Sequence, residues 1–95
     1  MKYKSISFSG HAVKRMFERS IEPEEVEFVL RQGKVIAAYP DDTPYPSCLM
    51  LGFVRGQPLH VVVALEENSQ TCYIITVYHP DPALWEAGFE KRRSV

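Results

Sequence analysis

Apolar residues recur at helical spacing soon after a short extended segment at residues 2–8. The pattern predicts a helix that ends near Ser20, with one face packed and the other polar. Ser9 suits the N-cap position, because its hydroxyl can accept a hydrogen bond from a free backbone N–H of the first turn. The apolar side of this helix carries Val13, Met16 and Phe17.

A second helical pattern follows with almost no linker. Pro23 fits the first helical position, and the glutamates after it complement the positive end of the helix dipole. Gly33 is a natural C-terminal stop. The apolar stripe of this helix consists of Val26, Val29 and Leu30.

The rest of the chain alternates runs of strand-forming residues with turn-forming residues. Strands are predicted at residues 34–39, 47–54, 58–65 and 71–79. Most of the connections between them are short, and short loops between adjacent strands indicate an antiparallel meander.

A final helix is predicted after the last strand, with Asp81 as N-cap and Pro82 as first residue. The predicted fold is therefore α+β: two N-terminal helices, a four-stranded antiparallel sheet (meander) and a C-terminal helix. We expect the helices to cover one face of the sheet, and residues 1–95 to form a single domain. The apolar face of the final helix would carry Leu84, Trp85 and Phe89.

Composition and charge restrict the function classes. The formal net charge of −1 at pH 7 argues against a general nucleic-acid coat protein. Positive charge is nevertheless concentrated in residues 1–20 and near the C-terminus, at residues 91–93. Cys48 and Cys72 each lie in a strand-like run and are expected to be isolated buried thiols, with a disulfide as the alternative. No zinc-type spacing occurs. No signal peptide and no membrane-spanning segment are expected, which predicts a cytoplasmic protein without a membrane partner.

The polar side of the first helix is one candidate for chemistry. His11, Arg15 and Arg19 follow each other at four-residue spacing and share one sector of the helix. Free N–H groups and the dipole at a helix start favour an anion, and a guanidinium suits bidentate contact with phosphate. The alternative is a solvated face whose arginines pair with nearby glutamates.

A second candidate lies on the predicted sheet. His60 interrupts an apolar strand, and a turn at residues 66–70 would place it opposite residues 76–78. His60, Thr76 and Tyr78 could then cluster on one face. A buried histidine with a purely structural role is the alternative.

The longest predicted loop runs from Tyr39 to Ser47 and contains three prolines. A rigid aromatic loop of this kind can form one wall of a binding site. The alternative is an ordered crossover whose tyrosines pack on the rim of the sheet.

These residues together suggest a family. The run from Phe8 to Met16, with Gly52, residues 58–62 and residues 75–78, resembles the small bacterial domains called domain of unknown function 4258. The resemblance covers nearly the whole chain. It implies a fold similar to the RelE, barnase and EndoU group of metal-independent ribonucleases, many of which are toxins that act on RNA.

The resemblance also implies where such a site would lie. The matching positions are His11, Arg15, Arg19, His60, Thr76 and Tyr78. We expect His11, Arg15, His60 and Tyr78 to be catalytic, and Arg19, Thr76, Tyr39 and Ser47 to contact substrate.

The leading hypothesis is a metal-independent endoribonuclease of toxin type that needs no cofactor and whose partner is RNA. Cleavage requires a base, an acid and cations on the phosphate. One alternative is a non-catalytic interaction domain that binds an antitoxin or forms a homodimer. A metal site built from His11, His60 and His79 is a further alternative, although no local motif supports it.

Overall fold

A computed structural model describes residues 1–94 of the chain. Two helices follow a first short strand, and four further strands complete the sheet. The elements are β1 (Ser5–Phe8), α1 (Gly10–Glu18), α2 (Pro23–Gln32), β2 (Lys34–Tyr39), β3 (Ser47–Val54), β4 (Gln57–Glu66) and β5 (Thr71–Tyr78).

The sheet differs from the prediction of a four-stranded antiparallel meander, which is wrong. The sheet has five strands in the order β1-β5-β4-β3-β2. Strands β2 to β5 form antiparallel pairs as predicted, but β1 adds a parallel pair with β5. Two helices and three strands separate β1 from β5, which is ample chain for the crossover that a parallel pair requires. Ile6 and Phe8 anchor β1, because both pack against the core.

The two helices begin at the predicted residues. The hydroxyl of Ser9 accepts a hydrogen bond from the backbone N–H of Ala12 at 3.0 Å, which confirms Ser9 as the N-cap of α1. Pro23 opens α2, and Glu22 and Glu25 form a capping box around it. Local sequence therefore determines where both helices start.

One face of the sheet, here called the helical face, is covered by α1 and α2. Its core consists of apolar side chains that are nearly all inaccessible to water. A domain this small has little apolar area to bury, so its stability depends on burying these side chains almost completely. They include Ala12, Met16, Ile21, Val26, Val29, Leu30, Met50, Leu59, Val61, Val63, Ile74 and Val77. The two N-terminal helices thus lie on one face as expected, but the third helix of that prediction does not form.

Close packing between α2 and the sheet depends on two glycines. A Cβ atom on Gly33 would lie 2.6 Å from the carbonyl oxygens of Val29 and Leu51. A Cβ atom on Gly52 would lie 2.8 Å from the side chain of Val29. Gly33 ends α2 as predicted, but with φ of −80°, so it is required for space and not for left-handed backbone.

The prediction of a C-terminal helix is also wrong. A single turn forms at Asp81, whose carbonyl accepts hydrogen bonds from the N–H groups of Leu84 and Trp85 at 2.9 and 3.1 Å. The chain then reverses at Gly88 and Phe89, where φ is 90° and 62°. Trp85 is buried against the sheet, and it does not form part of a helical stripe. We call residues 81–94 the strap, and the face of the sheet that it partly covers the strap face.

Two further expectations concern cysteine and membranes. Cys48 and Cys72 are free thiols as predicted, but only Cys72 is buried, and Cys48 is half-buried. Neither helix in residues 1–94 has the length and apolar content that crossing a bilayer would require.

Candidate functional site

His60 lies on β4 with its side chain on the strap face, and it is 0% exposed. Its Nε2 is 2.9 Å from the carbonyl oxygen of Phe89. A carbonyl only accepts hydrogen bonds, so Nε2 carries the proton and donates it. Nδ1, which lies 3.1 Å from the hydroxyl of Tyr78, then accepts a hydrogen bond from that hydroxyl. The imidazole is therefore held as one neutral tautomer.

Two aromatic rings enclose this imidazole. Trp85 meets it edge to face at 4.5 Å between ring centroids, and Tyr78 meets it at 5.2 Å. Edge-to-face pairs of this kind are favourable in addition to the area that they bury. Burial lowers the pKa of His60, although its hydrogen bond to Phe89 opposes the shift. The packed rings and the low pKa both favour the uncharged histidine.

Tyr78 is half-buried at the end of β5. Burial raises the pKa of its phenol, and the nearby Tyr39 raises it further, while Arg92 acts in the opposite direction. At neutral pH the hydroxyl therefore keeps its proton, which it donates to Nδ1 of His60.

A row of side chains crosses the strap face at the level of His60. Lys34 pairs with Leu51, Leu51 pairs with His60, and His60 pairs with Tyr78. Directly paired residues of antiparallel strands share a face, so these four side chains form one line. Lys34 reaches the strap, where its ammonium lies 2.5 Å from the carboxylate of Glu90. The row thus contains a cation, an imidazole and a phenol.

The other end of the strap face is open to solvent. A groove of about 600 Å³ lies there between Tyr39, the loop after it, and a floor that includes Val62 and Ile75. Ser47 is buried, and its hydroxyl donates a hydrogen bond to Asp42 at 2.6 Å. Ser47 therefore holds the loop in place. A carboxylate beside this groove disfavours a phosphate directly against it.

The polar side of α1 lies elsewhere. His11 is exposed, and Arg15 pairs with Glu18 at 2.9 Å on the surface. Arg19 donates a hydrogen bond to the carbonyl of Val77 at 2.7 Å. That carbonyl belongs to the part of β5 that extends beyond the end of β1, so Arg19 satisfies an edge of the sheet.

The predicted site residues therefore form two separate groups. Residues His60, Thr76, Tyr78, Tyr39 and Ser47 belong to the strap face or its rim, because Thr76 pairs with Val62 there. His11, Arg15 and Arg19 belong to α1, which packs on the helical face through Ala12 and Met16. The structure does not bring His11 and Arg15 into one cleft with His60. Alternation along β4 explains this, since Leu59 and Val61 face the helices and His60 must point away.

The sequence did not indicate several groups around His60: those that contact its ring, the lysine in line with it, and the carboxylate that pairs with this lysine. Lys34, Trp85, Glu90 and the Phe89 carbonyl were not candidates. Lys34 could have been found from the strand pattern, because the first residue of β2 aligns with His60 once the register is known. The sequence contains no indication of the contacts that residues 85–90 make. In the predicted helix their side chains would have had other orientations.

An apolar groove of about 400 Å³ separates α1 from the start of α2. Val13 and Phe17 border it and are 54% and 88% exposed. One turn separates them on α1, so they form a continuous apolar patch on the surface. Exposed patches of this kind often mark contacts with other proteins.

A three-histidine metal site is not formed. Within residues 1–94, no group of three or more histidine, cysteine, aspartate or glutamate side chains is placed to hold a metal ion. His60 also has both ring nitrogens engaged in hydrogen bonds.

Comparison with known proteins identifies a family but no characterised relative. No curated protein matches the chain, and no solved structure matches it. The family model described as Domain of unknown function (DUF4258) matches residues 8–79, from the end of β1 to the end of β5. The match covers well over half of the chain, and the chain belongs to this family.

Proposed function

We propose that this protein is a metal-independent endoribonuclease of toxin type whose site is the row formed by Lys34, His60 and Tyr78. The observation that carries the proposal is the line of a cation, a neutral imidazole and a phenol across one sheet face. These are the groups that cleavage of RNA without metal requires. The expectation, drawn from the sequence, that members of this family fold like the RelE, barnase and EndoU group is consistent with the same reaction.

The proposed chemistry starts from the protonation states inferred above for His60 and Tyr78. The hydroxyl of Tyr78 turns from Nδ1 of His60 toward the leaving 5′-oxygen, which frees the lone pair of Nδ1. Nδ1 then takes the proton of the ribose 2′-hydroxyl, and the 2′-oxygen attacks the adjacent phosphorus. The bond from phosphorus to the 5′-oxygen breaks, and the hydroxyl of Tyr78 gives its proton to that oxygen. The products are a 2′,3′-cyclic phosphate and a 5′-hydroxyl. The proton on His60 then returns to Tyr78 along their 3.1 Å contact, which restores the starting state.

The other groups of the face have supporting roles in this proposal. The ammonium of Lys34 stabilises the negative charge that develops on the phosphate. Tyr39 lines the adjacent groove, and Thr76 follows Ile75 of the groove floor along β5. In this proposal both side chains contact the flanking nucleotide. Tyr39 offers an aromatic surface for base stacking.

The test is cleavage of a labelled RNA oligonucleotide by the purified full-length protein in the presence of EDTA. Tyr78→Phe keeps the ring and removes the proton donor, so we expect cleavage to fall by about 100-fold. Lys34→Gln should lower it by a similar factor, about 100-fold. His11→Gln, on the other side of the sheet, is the matched control and should keep wild-type activity. Loss of activity in His11→Gln with full activity in Tyr78→Phe would place the site on α1 and overturn the proposal.

A second candidate function rests on the exposed patch of Val13 and Phe17. An aromatic side chain that is 88% exposed beside an apolar groove favours a protein contact, either with an antitoxin or with a second copy of the chain. Sedimentation of the wild type and of Phe17→Ser tests the second copy. A dimer that Phe17→Ser converts to a monomer supports a homodimer, and a monomeric wild type excludes it at the concentrations used.

A further inference from the structure

We infer that the strap is a releasable inhibitor that occupies the RNA site in its closed position. The inference rests on the proposed ribonuclease function and describes how the same site would be regulated. It follows from three features: how the strap is built, how little holds it, and which groups it contacts.

The strap is stabilised mainly by its own hydrogen bonds. Backbone bonds join Glu86 to Lys91 and Arg93 to Leu84 at 2.8 and 2.9 Å. An isolated bridge pairs Trp85 with Arg92, and the guanidinium of Arg92 lies 5.5 Å from the centre of the Trp85 ring. A segment that satisfies its own backbone can move as a unit without exposing unpaired groups.

Few contacts attach this unit to the sheet. Between Asp81 and Ser94, Trp85 is the one buried side chain, and Phe89 is half-buried. The hydrogen bonds and ion pairs that cross from the described strap to the sheet are the Phe89 carbonyl to His60 and Glu90 to Lys34. No hydrogen bond of the sheet itself would break if the strap lifted. Segments with so few buried contacts open locally, at lower free energy than the whole domain.

The attachments coincide with the groups that the reaction would use. The Glu90 carboxylate is an anion on the ammonium of Lys34, the position that the scissile phosphate would take. The Phe89 carbonyl occupies Nε2 of His60, and Trp85 covers the imidazole ring. RNA and the strap therefore cannot both contact this row. Lifting the strap exposes His60 and frees Lys34 in one movement.

The family match agrees with a separate role for the strap. The matched residues end at His79, two positions before the strap begins at Asp81. The strap lies outside the matched residues, whereas Lys34, His60 and Tyr78 lie within them.

The experiment compares strap variants of the full-length chain. Trp85→Ala removes the buried anchor, and Leu84→Ala shortens an exposed neighbour as its control. Glu90→Gln removes the anion from Lys34, and Glu86→Gln makes the same charge change where residues 1–94 contain no ion pair to Glu86. Two quantities are measured for each: RNA cleavage in EDTA, and deuterium exchange of the His60 imidazole C2 proton by NMR, with exposed His11 as internal reference.

We expect Trp85→Ala to accelerate exchange at His60 and to raise cleavage about tenfold, because activity follows the open fraction while that fraction is small. Glu90→Gln should raise cleavage by about threefold. Both controls should match the wild type. Amide exchange in β4 and β5 should stay slow in every variant, which shows that the sheet remains folded.

Three results would count against these ideas, and they are distinguishable. Faster exchange at His60 with unchanged, measurable cleavage shows that the strap does not inhibit, and leaves the proposed function intact. Exchange that rises only when β4 and β5 also lose protection shows that the strap does not move separately, and overturns the inference. Absence of cleavage in every variant, despite faster exchange at His60, overturns the proposed ribonuclease function.

Discussion

The surroundings of His11 and of His60 differ in almost every physical respect. His11 lies exposed on α1, beside an arginine that pairs with a glutamate at the surface. His60 is 0% exposed, with both ring nitrogens bonded and two aromatic rings against it. In the sequence, both histidines are plausible site residues. The contrast shows that a histidine's neighbours in space decide which ring nitrogen carries the proton and whether the ring is charged. Its neighbours in the chain do not reveal this.

The contrast also bears on what each residue does for stability. An exposed helical residue with a charged neighbour contributes little, because water competes for every contact. A buried imidazole that satisfies a carbonyl and a hydroxyl contributes more, since its removal leaves both groups without a partner. The strap affects both the stability and the accessibility of His60, because the strap groups that contact the imidazole also keep it from solvent.

The largest difference should appear in stability when either histidine is truncated. His60→Ala leaves a cavity beside Trp85 and two unpaired polar groups, so we expect a loss of about 3 kcal/mol in the free energy of unfolding. His11→Ala should change it by less than about 0.5 kcal/mol. Urea unfolding followed by circular dichroism measures both values. Equal losses would show that His60 is not packed as described.

A pH titration of stability sharpens the comparison. Burial lowers the pKa of His60 below its ordinary value of 6.5. Well above pH 6.5 the imidazole is neutral in the folded and the unfolded chain, so its full contribution to stability is present. As pH falls below that value, the unfolded chain binds a proton that the folded chain still excludes, and stability is lost by up to about 1.4 kcal/mol per pH unit.

The measurement is the slope of unfolding free energy between pH 7 and about pH 5.5, the range in which an ordinary imidazole titrates. His60→Gln should remove most of this slope, whatever its effect on absolute stability. His11→Gln is the control and should retain the slope of the wild type. A slope that persists in His60→Gln would assign the proton uptake to another group.

The smallest expected effect separates the two arginines of α1. Arg19→Ala removes the hydrogen bond to the Val77 carbonyl at the edge of the sheet, and should cost about 1 kcal/mol. Arg15→Ala removes a surface pair with Glu18 and should cost no more than about 0.5 kcal/mol. Thermal unfolding of both variants at low and high salt tests the difference, and only the effect of Arg15 should weaken with salt.

Much of the local structure was predictable, because it depends on neighbours in the chain. Ser9 and Pro23 start their helices as predicted, and β2 and β3 have the predicted bounds. The predictions were wrong where the secondary structure of a segment depends on residues far away in the chain. The segment before α1 joins the sheet because β5 offers a free edge. Residues 81–94 form the strap because Trp85 finds a buried contact on His60, which outweighs the helical pattern of three apolar residues.

The candidate site shows the same division. The turn at residues 66–70 was enough to predict that His60 lies opposite residues 76–78, and in the structure His60 pairs with Tyr78 at one end of that range. The strand pattern was not enough to separate His60 from α1, because it does not say which face the helices will cover. Only the strand order and register show Lys34 as a candidate site residue, because they place β2 two strands away from β4 with Lys34 in line with His60.

The sequence by itself determined the helix starts, most strand bounds and the residues with the chemical groups for acid–base work, because these depend on spacing and side-chain type. The tertiary structure alone decided that β1 is the fifth strand, that His11 and His60 lie on opposite sides of the sheet, and that residues 81–94 cover the imidazole. Each of these outcomes depends on contacts between residues far apart in the chain. Such contacts form only where the buried apolar area and the hydrogen bonds of the folded domain outweigh the conformational entropy that is lost.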